Sequence, residues 1–242
     1  MGNHFDQIAD VYDNVWHFSD SYKSWMLDNI VDLLNFDKND IFVDIGGGTA
    51  EYTKLIANSL KLNKTPYCVE PSVEMSNVAK KNSNLNIFNE DGNTFAERPL
   101  KYDKVLLKEV IHHIKDRKSL WKNLYTKINK NGRILIVTRP QKIKMPLFGA
   151  AKDAFYENQP PYETFTDELK RASFSVDVKI DSYCFFLDKA IWFNMLRKRF
   201  MSDLGKFTDE EIENGIKEIE NSVINSNQIK IEDEVIFIVA SK

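Results

Sequence analysis

The sequence predicts an α/β fold on a mostly parallel sheet, and two observations predict it. Short apolar runs of strand length recur as far as Thr138, with helical periodicity filling most of the gaps between them. A turn of three glycines, Gly46, Gly47 and Gly48, follows the first of these runs. Strands that alternate with helices need crossover connections, and those are right-handed in a parallel sheet. The chain of 242 residues is long enough to bury a large core.

Taken in order, Met26, Ile30, Leu33 and Leu34 mark an amphipathic helix ahead of the first strand. Strands are expected at residues 41–45, 67–70, 85–88, 104–107 and 133–138, each an apolar run bounded by polar residues, Gly or Pro. Leu120, Leu124 and Ile128 recur at i, i+4 and i+8, with Trp121 and Tyr125 widening the stripe of the helix before the fifth strand. After Thr138 the alternation breaks. Residues 139–162 hold Pro140, Pro146, Pro160 and Pro161 among aromatics and show no clean period. A helix is expected at 165–172, a strand at 175–183, then two helices and a closing strand at 234–240. The second of those helices carries a capping box, Thr208 with Glu211, ahead of Ile212, Ile216, Ile219 and Val223 on one face. Two adjoining strands around a helical insertion predict an antiparallel edge and a small cap. No repeat, low-complexity tract or flexible linker divides the chain.

Composition removes several classes of protein. A chain with 43% hydrophobic and 12% aromatic residues and a net charge of -3 is not a disordered one. The longest apolar runs, 134–137 and 235–240, fall far short of the roughly 20 residues of a membrane helix. The first six residues have neither the basic flank nor the apolar stretch of a signal peptide, and Asp6 stands where myristoylation needs Ser or Thr. Cys68 and Cys184 form no CxxC pair, so neither a disulfide scaffold nor a zinc site is expected, and a cytoplasmic location is. The acidic balance lacks the footprint of a nucleic-acid binder.

The glycine turn has the pattern of a backbone that approaches a ligand closely. A dinucleotide fingerprint, G-x-G-x-x-G from Gly46, requires a third glycine where Glu51 stands, and a carboxylate there opposes a pyrophosphate. The other pattern is acidic-x-Gly-x-Gly: Asp44, Gly46 and Gly48, then Ala50. Glu70 ends the second strand, and Glu90, Asp91 and Gly92 follow the third, so acidic residues stand at three successive strand ends. Ligands of open α/β sheets bind at those carboxyl ends.

With these residues the chain resembles the class I S-adenosylmethionine-dependent methyltransferases, particularly their small-molecule branch, over roughly residues 5–138. The resemblance implies a Rossmann-like class I methyltransferase fold, a mostly parallel seven-stranded sheet with an antiparallel last strand and a small helical cap. It implies a single methyltransferase domain over 1–242, with an N-terminal lid and helix at 1–36, a cofactor-binding core at 37–138 and acceptor-side cap segments at 139–162 and 188–226. S-Adenosylmethionine is the implied cofactor, with S-adenosylhomocysteine as product. It carries an ammonium, a sulfonium and a carboxylate but no phosphate. Asp44 suits the ammonium, and backbone groups of the glycine turn with Thr49 suit the carboxylate. Glu70, with Pro71 beside it, is placed on the ribose hydroxyls, Met75 on the adenine face, and Asp91 and Gly92 on the adenine edge; Asp91 reads equally well as a helix N-cap. Lys108, mainly through its backbone, and Glu109 border the methionine end.

His112 matches a histidine that small-molecule members often carry after the fourth strand, and it is the candidate catalytic residue together with Tyr12. Adjacent His112 and His113 cannot both point at one centre, so no metal is expected. Residues 5–13 resemble a segment that family members fold over the cofactor. Tyr12, Trp16, His113, Arg139, Phe155, Tyr156, Trp192 and Arg199 are the candidate acceptor-binding residues. Arg139 reads either as a carboxylate clamp or as a salt bridge to an acidic strand end. The expected activity is in-line methyl transfer to an N, O or S atom of a small molecule, by a monomer or homodimer with no nucleic-acid or membrane partner. Methylation of RNA or protein, and cofactor binding without turnover, are the alternatives.

Overall fold

The structure is a computed structural model, and it describes residues 19–81, 84–223 and 226–242. Helix α1 (Asp20–Leu34) starts where the Ser19 hydroxyl accepts the Tyr22 amide and stops at Asn35, whose φ of 50° is left-handed. Its Met26, Ile30 and Leu34 are fully buried, each contributing about 1.5–3 kcal/mol of apolar transfer. There follow β1 (Phe42–Ile45), α2 (Glu51–Leu60), β2 (Tyr67–Val69), α3 (Val73–Lys81), β3 (Asn86–Phe88), α4 (Gly92–Glu97) and β4 (Tyr102–Lys108). A 3₁₀ turn at Ile111–His113 leads to α5 (Arg117–Lys127) and β5 (Ile128–Thr138). The remainder is α6 (Gly149–Asn158), α7 (Tyr162–Arg171), β6 (Ser175–Asp188), α8 (Lys189–Arg197), a 3₁₀ turn (Ser202–Lys206), α9 (Asp209–Ser222) and β7 (Gln228–Ser241).

The seven strands form one sheet in the order β3-β2-β1-β4-β5-β7-β6. All neighbours pair in parallel except that β7 runs antiparallel to both β5 and β6. The order reverses between β1 and β4, so their carboxyl ends border a crevice. That is the place where open α/β sheets bind ligands. One face of the sheet packs Leu106, Leu135 and Val137 against α1, α6, α8 and α9. The other packs Val105, Leu107 and Ile136 against α4, α5 and α7. Burial on both faces is why the central strands read as continuous apolar runs.

Three elements depart from the sequence reading. The segment without a period contains α6, whose buried residues are Ala151, Ala154 and Phe155; two alanines in three buried positions leave little apolar contrast for a periodicity to register. Strands β6 and β7 extend to Asp188 and from Gln228, pairing along fourteen positions each. Their outer turns alternate exposed with buried residues, so no continuous apolar run marks them. Ile128, expected on a helix face, is both the cap of α5 and the start of β5. The capping box of Thr208 and Glu211 is formed as expected.

Candidate active site

The glycine turn is shaped by lack of space on one side and open space on the other. Gly46 and Gly48 have φ of 74° and 58°, a region that disfavours a side chain. A Cβ on Gly46 would lie 2.4 Å from Val110 Cγ2, and one on Gly47 2.6 Å from Cys68 Sγ, whereas one on Gly48 would meet nothing within 4 Å. The loop is thus pressed onto the ends of β2 and β4 while Gly48 faces an opening. The Gly46 and Gly47 amides both donate to the Val69 carbonyl, at 2.7 and 3.2 Å, and Ala50 donates to Gly47 O at 2.8 Å.

Glu70 locks this turn to the second strand. The Gly48 amide donates to Glu70 Oε2 at 3.0 Å and the Ser72 amide to Oε1 at 2.8 Å, so a buried carboxylate is held by two backbone donors. An ionised carboxylate offers about four lone-pair sites in all. Asn89 braces the same corner, donating to the carbonyls of Glu70 and Pro71. Asp44 is buried, and its Oδ2 accepts the Thr53 hydroxyl at 2.5 Å. Burial pushes its carboxyl up to about 6, partly offset by the Thr53 hydrogen bond and the Lys108 charge. Thr49 of the turn is buried, and so is Met75 on α3.

At the third strand end, Asp91 is the N-cap of α4. Its Oδ1 accepts the Asn93 and Thr94 amides at 2.9 and 3.0 Å, and its Oδ2 accepts the Thr94 hydroxyl at 3.0 Å. Those bonds, the Thr94 amide first, hold its carboxyl below the ordinary range. Gly92 fits tightly behind it, since a Cβ there would stand 2.7 Å from Ile45 Cγ2.

The fourth and fifth strand ends carry a buried charge network. Arg139 donates from Nε and Nη2 to the two oxygens of Asp233, at 2.7 and 2.9 Å, while its Nη1 lies 2.6 Å from Glu109 Oε2. The Tyr22 hydroxyl completes the group with a 2.6 Å bond to Asp233 Oδ2. Gln159 holds the Arg139 carbonyl and the Thr138 hydroxyl, both at 2.8 Å. Burial alone would lower the Arg139 pKa, but Asp233 and Glu109 outweigh it and the guanidinium stays charged. Burial raises Glu109, opposed by Arg139 and Lys108. Glu109 sits at φ 55° and donates its amide to Val137 O at 2.9 Å, so the chain leaves β4 through a strained residue. The Lys108 ammonium lies 4.6 Å from the centre of the Tyr52 ring.

His112 and His113 sit in the 3₁₀ turn with ring centroids 4.0 Å apart. Burial, then the neighbouring His113 and Arg139, push His112 down to about 3. Its imidazole is therefore neutral near pH 7 and a poor proton acceptor, because an efficient general base titrates near the working pH. Its buried Nδ1 has no hydrogen-bond partner among the described residues. No group of His, Cys, Asp and Glu suited to a metal ion occurs among the described residues.

The sequence-derived site residues thus divide. Asp44, Gly46, Gly48, Thr49, Glu70, Pro71, Asp91, Gly92, Lys108, Glu109 and His112 lie at or beside the strand ends of β1–β4. Two expectations are corrected. The amides of Gly46, Gly47 and Gly48, read as partners for a ligand carboxylate, are already engaged within the protein. Arg139, read as a possible clamp for an acceptor carboxylate, forms the alternative salt bridges. Of the acceptor-side residues, Phe155 and Trp192 pack into the core, the Trp192 indole donating to Pro146 O at 3.0 Å. They are packing residues because the cap folds them inward. Arg199 leaves the cleft and ties α8 to α9 through Phe207 O and Asp209, at 2.9 and 2.6 Å. Tyr156 is 47% exposed. Tyr12 and Trp16, with the rest of the N-terminal lid, lie outside the described residues. The sequence reading missed Tyr52, Ser72, Asn89, Tyr22 and Asp233. Asp233 shares a face with Val235 and Phe237 in β7 but is 94 residues from its partner Arg139, so no local pattern announces it.

The residues fit S-adenosylmethionine better than a phosphate ligand. The turn offers an open Gly48 and carboxylates at Asp44 and Glu70, acceptors suited to hydroxyls and an ammonium. The engaged glycine amides leave little to cradle a phosphate.

Comparisons with known proteins agree. Residues 16–171 match a family model described as a methyltransferase domain. A curated relative, carboxy-S-adenosyl-L-methionine synthase of Staphylococcus epidermidis, is 29% identical over 106 residues. That match spans 43% of this chain and 46% of the relative, less than half the length of either. A solved structure of a protein from an antibiotic biosynthesis pathway of Anabaena variabilis superposes with a TM-score of 0.63 at 18% identity, covering 90% of this chain and 97% of that one. A phosphoethanolamine N-methyltransferase of Haemonchus contortus, solved with phosphomonomethylethanolamine and S-adenosylhomocysteine, superposes with a TM-score of 0.62 at 18% identity. That superposition covers 98% of this chain and 57% of the other. At such identities the structural likenesses establish the fold.

Proposed function

This chain belongs to the methyltransferase-domain family, whose methyl donor is S-adenosylmethionine, and from that premise we propose that it methylates an N, O or S atom of a small molecule. The observation that carries the reading is Glu70, fixed by the Gly48 and Ser72 amides at the open side of the glycine turn. A carboxylate so placed accepts the two ribose hydroxyls without reorganising. Asp44 takes the ammonium end, and Met75, Pro71, Asp91 and Gly92 border the adenine. When bound, the donor supplies an electrophilic methyl group on a sulfonium.

The protein's part is to position the acceptor and exclude water. Holding two reactants at attack distance supplies roughly 7–11 kcal/mol of the barrier, whereas a general base gives typically 10²–10⁴-fold. His112, neutral and held at the end of β4, serves as a hydrogen-bonding guide to the acceptor more readily than as a base. The proposed acceptor side comprises His112, His113 and Tyr156 with Tyr12 and Trp16 of the N-terminal segment. Arg139 shapes this side through Glu109. A net charge of -3 favours a small acceptor over a nucleic acid. No helix among the described residues is long and apolar enough to cross a membrane. We place the enzyme in the cytoplasm as a single catalytic domain, monomeric or a homodimer.

The test is to incubate the protein with methyl-labelled S-adenosylmethionine and separate small-molecule, RNA and protein fractions of a cell extract. Label in the small-molecule fraction is expected. Label confined to RNA or protein contradicts the acceptor class, and the absence of any S-adenosylhomocysteine contradicts turnover.

A further inference from the structure

Two cations stand at the strand ends on one face of the sheet, and their circumstances differ. Arg139 is neutralised: Asp233 takes two of its nitrogens and Glu109 the third. Lys108 ends β4 on that face, as Leu106 two residues earlier shares the core of α1 with Val137 and Phe237. Its ammonium has no hydrogen-bonding or ion-pairing acceptor among the described residues, and what faces it is the Tyr52 ring at 4.6 Å. Each carboxylate whose field reaches it is held by another donor. Asp44 accepts from Thr53, Glu51 pairs with Lys23 at 2.5 Å, and Glu109 and Asp233 pair with Arg139. Burial and the nearby Arg139 charge lower the Lys108 pKa, against the pull of Glu109, Glu51 and Asp233.

The register says which part of a ligand this ammonium meets. Asp44 pairs with Leu106, and Lys108 ends β4 two residues on, with β1 between it and the β2 end that carries Glu70. Lys108 therefore belongs to the β1–β4 end of the crevice, away from Glu70 and Asp91. A ligand whose ribose lies on Glu70 reaches that end with its amino-acid moiety. The glycine-turn amides that would otherwise hold a carboxylate donate to Val69 O and Glu70.

We propose that the Lys108 side chain binds the α-carboxylate of S-adenosylmethionine and makes the site select donors that carry it. The assignment rests on the donor reading of the site. Together with Asp44 at the ammonium, it gives the zwitterionic end of the ligand one charge partner for each of its own charges. The Tyr52 ring fixes the lysine stem so that the ammonium is already aimed before the ligand arrives.

The test is calorimetric titration with S-adenosylmethionine and with its decarboxylated analogue, which lacks only that carboxylate. The proteins are the wild type, Lys108→Met and Lys108→Arg. The wild type should prefer the carboxylated ligand by about 10- to 100-fold, the scale of one charged hydrogen bond. Lys108→Met should lose that preference by binding S-adenosylmethionine more weakly while holding the analogue as well as the wild type does. Lys108→Arg should restore at least part of it, which a purely structural role of the lysine would not produce. A wild type that binds both ligands equally overturns the proposal, even if Lys108→Met does not fold. An undiminished preference in a folded Lys108→Met protein overturns it as well. Failure of the wild type to bind either adenosyl ligand overturns the donor reading itself, and the Lys108 assignment with it.

Discussion

The two halves of the crevice are built by different means. At the ends of β1, β2 and β3, every group is held by a neighbour close in sequence or by the backbone: Gly48 and Ser72 on Glu70, Thr53 on Asp44, Thr94 on Asp91. At the ends of β4 and β5, charges from distant segments meet: Tyr22 of α1, Glu109, Arg139 and Asp233 of β7. The first half is held by local turn chemistry that tolerates variation elsewhere. The second holds its shape through buried ion pairs that fail together.

The largest test of that contrast is to break the network. Asp233→Ala should cost about 3–5 kcal/mol, because it leaves the Arg139 guanidinium buried without its bidentate partner. Denaturant unfolding would read it; a loss near that of a surface change would show that the network is solvated. Replacing Arg139 with Met and Asp233 with Leu together should recover only part of the loss: buried pairs are often no better than apolar packing of the same volume, but Glu109 loses Arg139 and Tyr22 loses Asp233.

On the other half the effects should be smaller and graded by local space. Gly46→Ala carries about 1–2 kcal/mol of left-handed strain plus about 1–3 kcal/mol of overpacking against Val110. Gly48→Ala, with the same sign of φ but open space, should carry only the strain. Equal losses for the two, measured by thermal unfolding, would mean that the turn is not pressed onto β4.

The same contrast decides how much could be read from the sequence. The glycine turn, Glu70 and the Asp91 cap are signatures of a few consecutive residues, so spacing and type sufficed to place them. The fold was legible for a related reason, since alternating strand and helix periods leave few topologies, and β7 alone runs against the others. Asp233 and Tyr22 were missed because their meaning comes from partners 94 and 211 residues away. Helix α6 was missed because it buries alanines. Trp192 and Phe155 were expected in a pocket because an aromatic residue has the same appearance in sequence whether it lines a cavity or fills a core.

A different kind of effect is a pair of opposed pH dependences. His112 is held neutral with its pKa lowered from 6.5 to about 3. Its contribution to stability is complete above 6.5 and is lost as pH falls toward 3. Asp44 is raised from 3.8 to about 6. Its contribution is present below 3.8 and is lost as pH rises through 6. Melting temperatures between pH 4 and 8 should therefore fall less steeply on the acid side for His112→Gln and more steeply for Asp44→Asn. Profiles parallel to the wild type in both variants would show that neither group is buried as described.

The central claim is that the Gly48–Glu70 corner is the adenosyl site of a methyltransferase. The most direct measurement is thermal unfolding of the wild type and Glu70→Ala with S-adenosylmethionine, S-adenosylhomocysteine and NAD. A ligand at 100 times its dissociation constant contributes about 2.7 kcal/mol, roughly 5–10 °C for a domain of this size. Stabilisation by both adenosyl ligands and not by NAD, lost in Glu70→Ala, is the predicted result. Stabilisation by NAD alone, or no shift with any of the three at millimolar concentration, would contradict it.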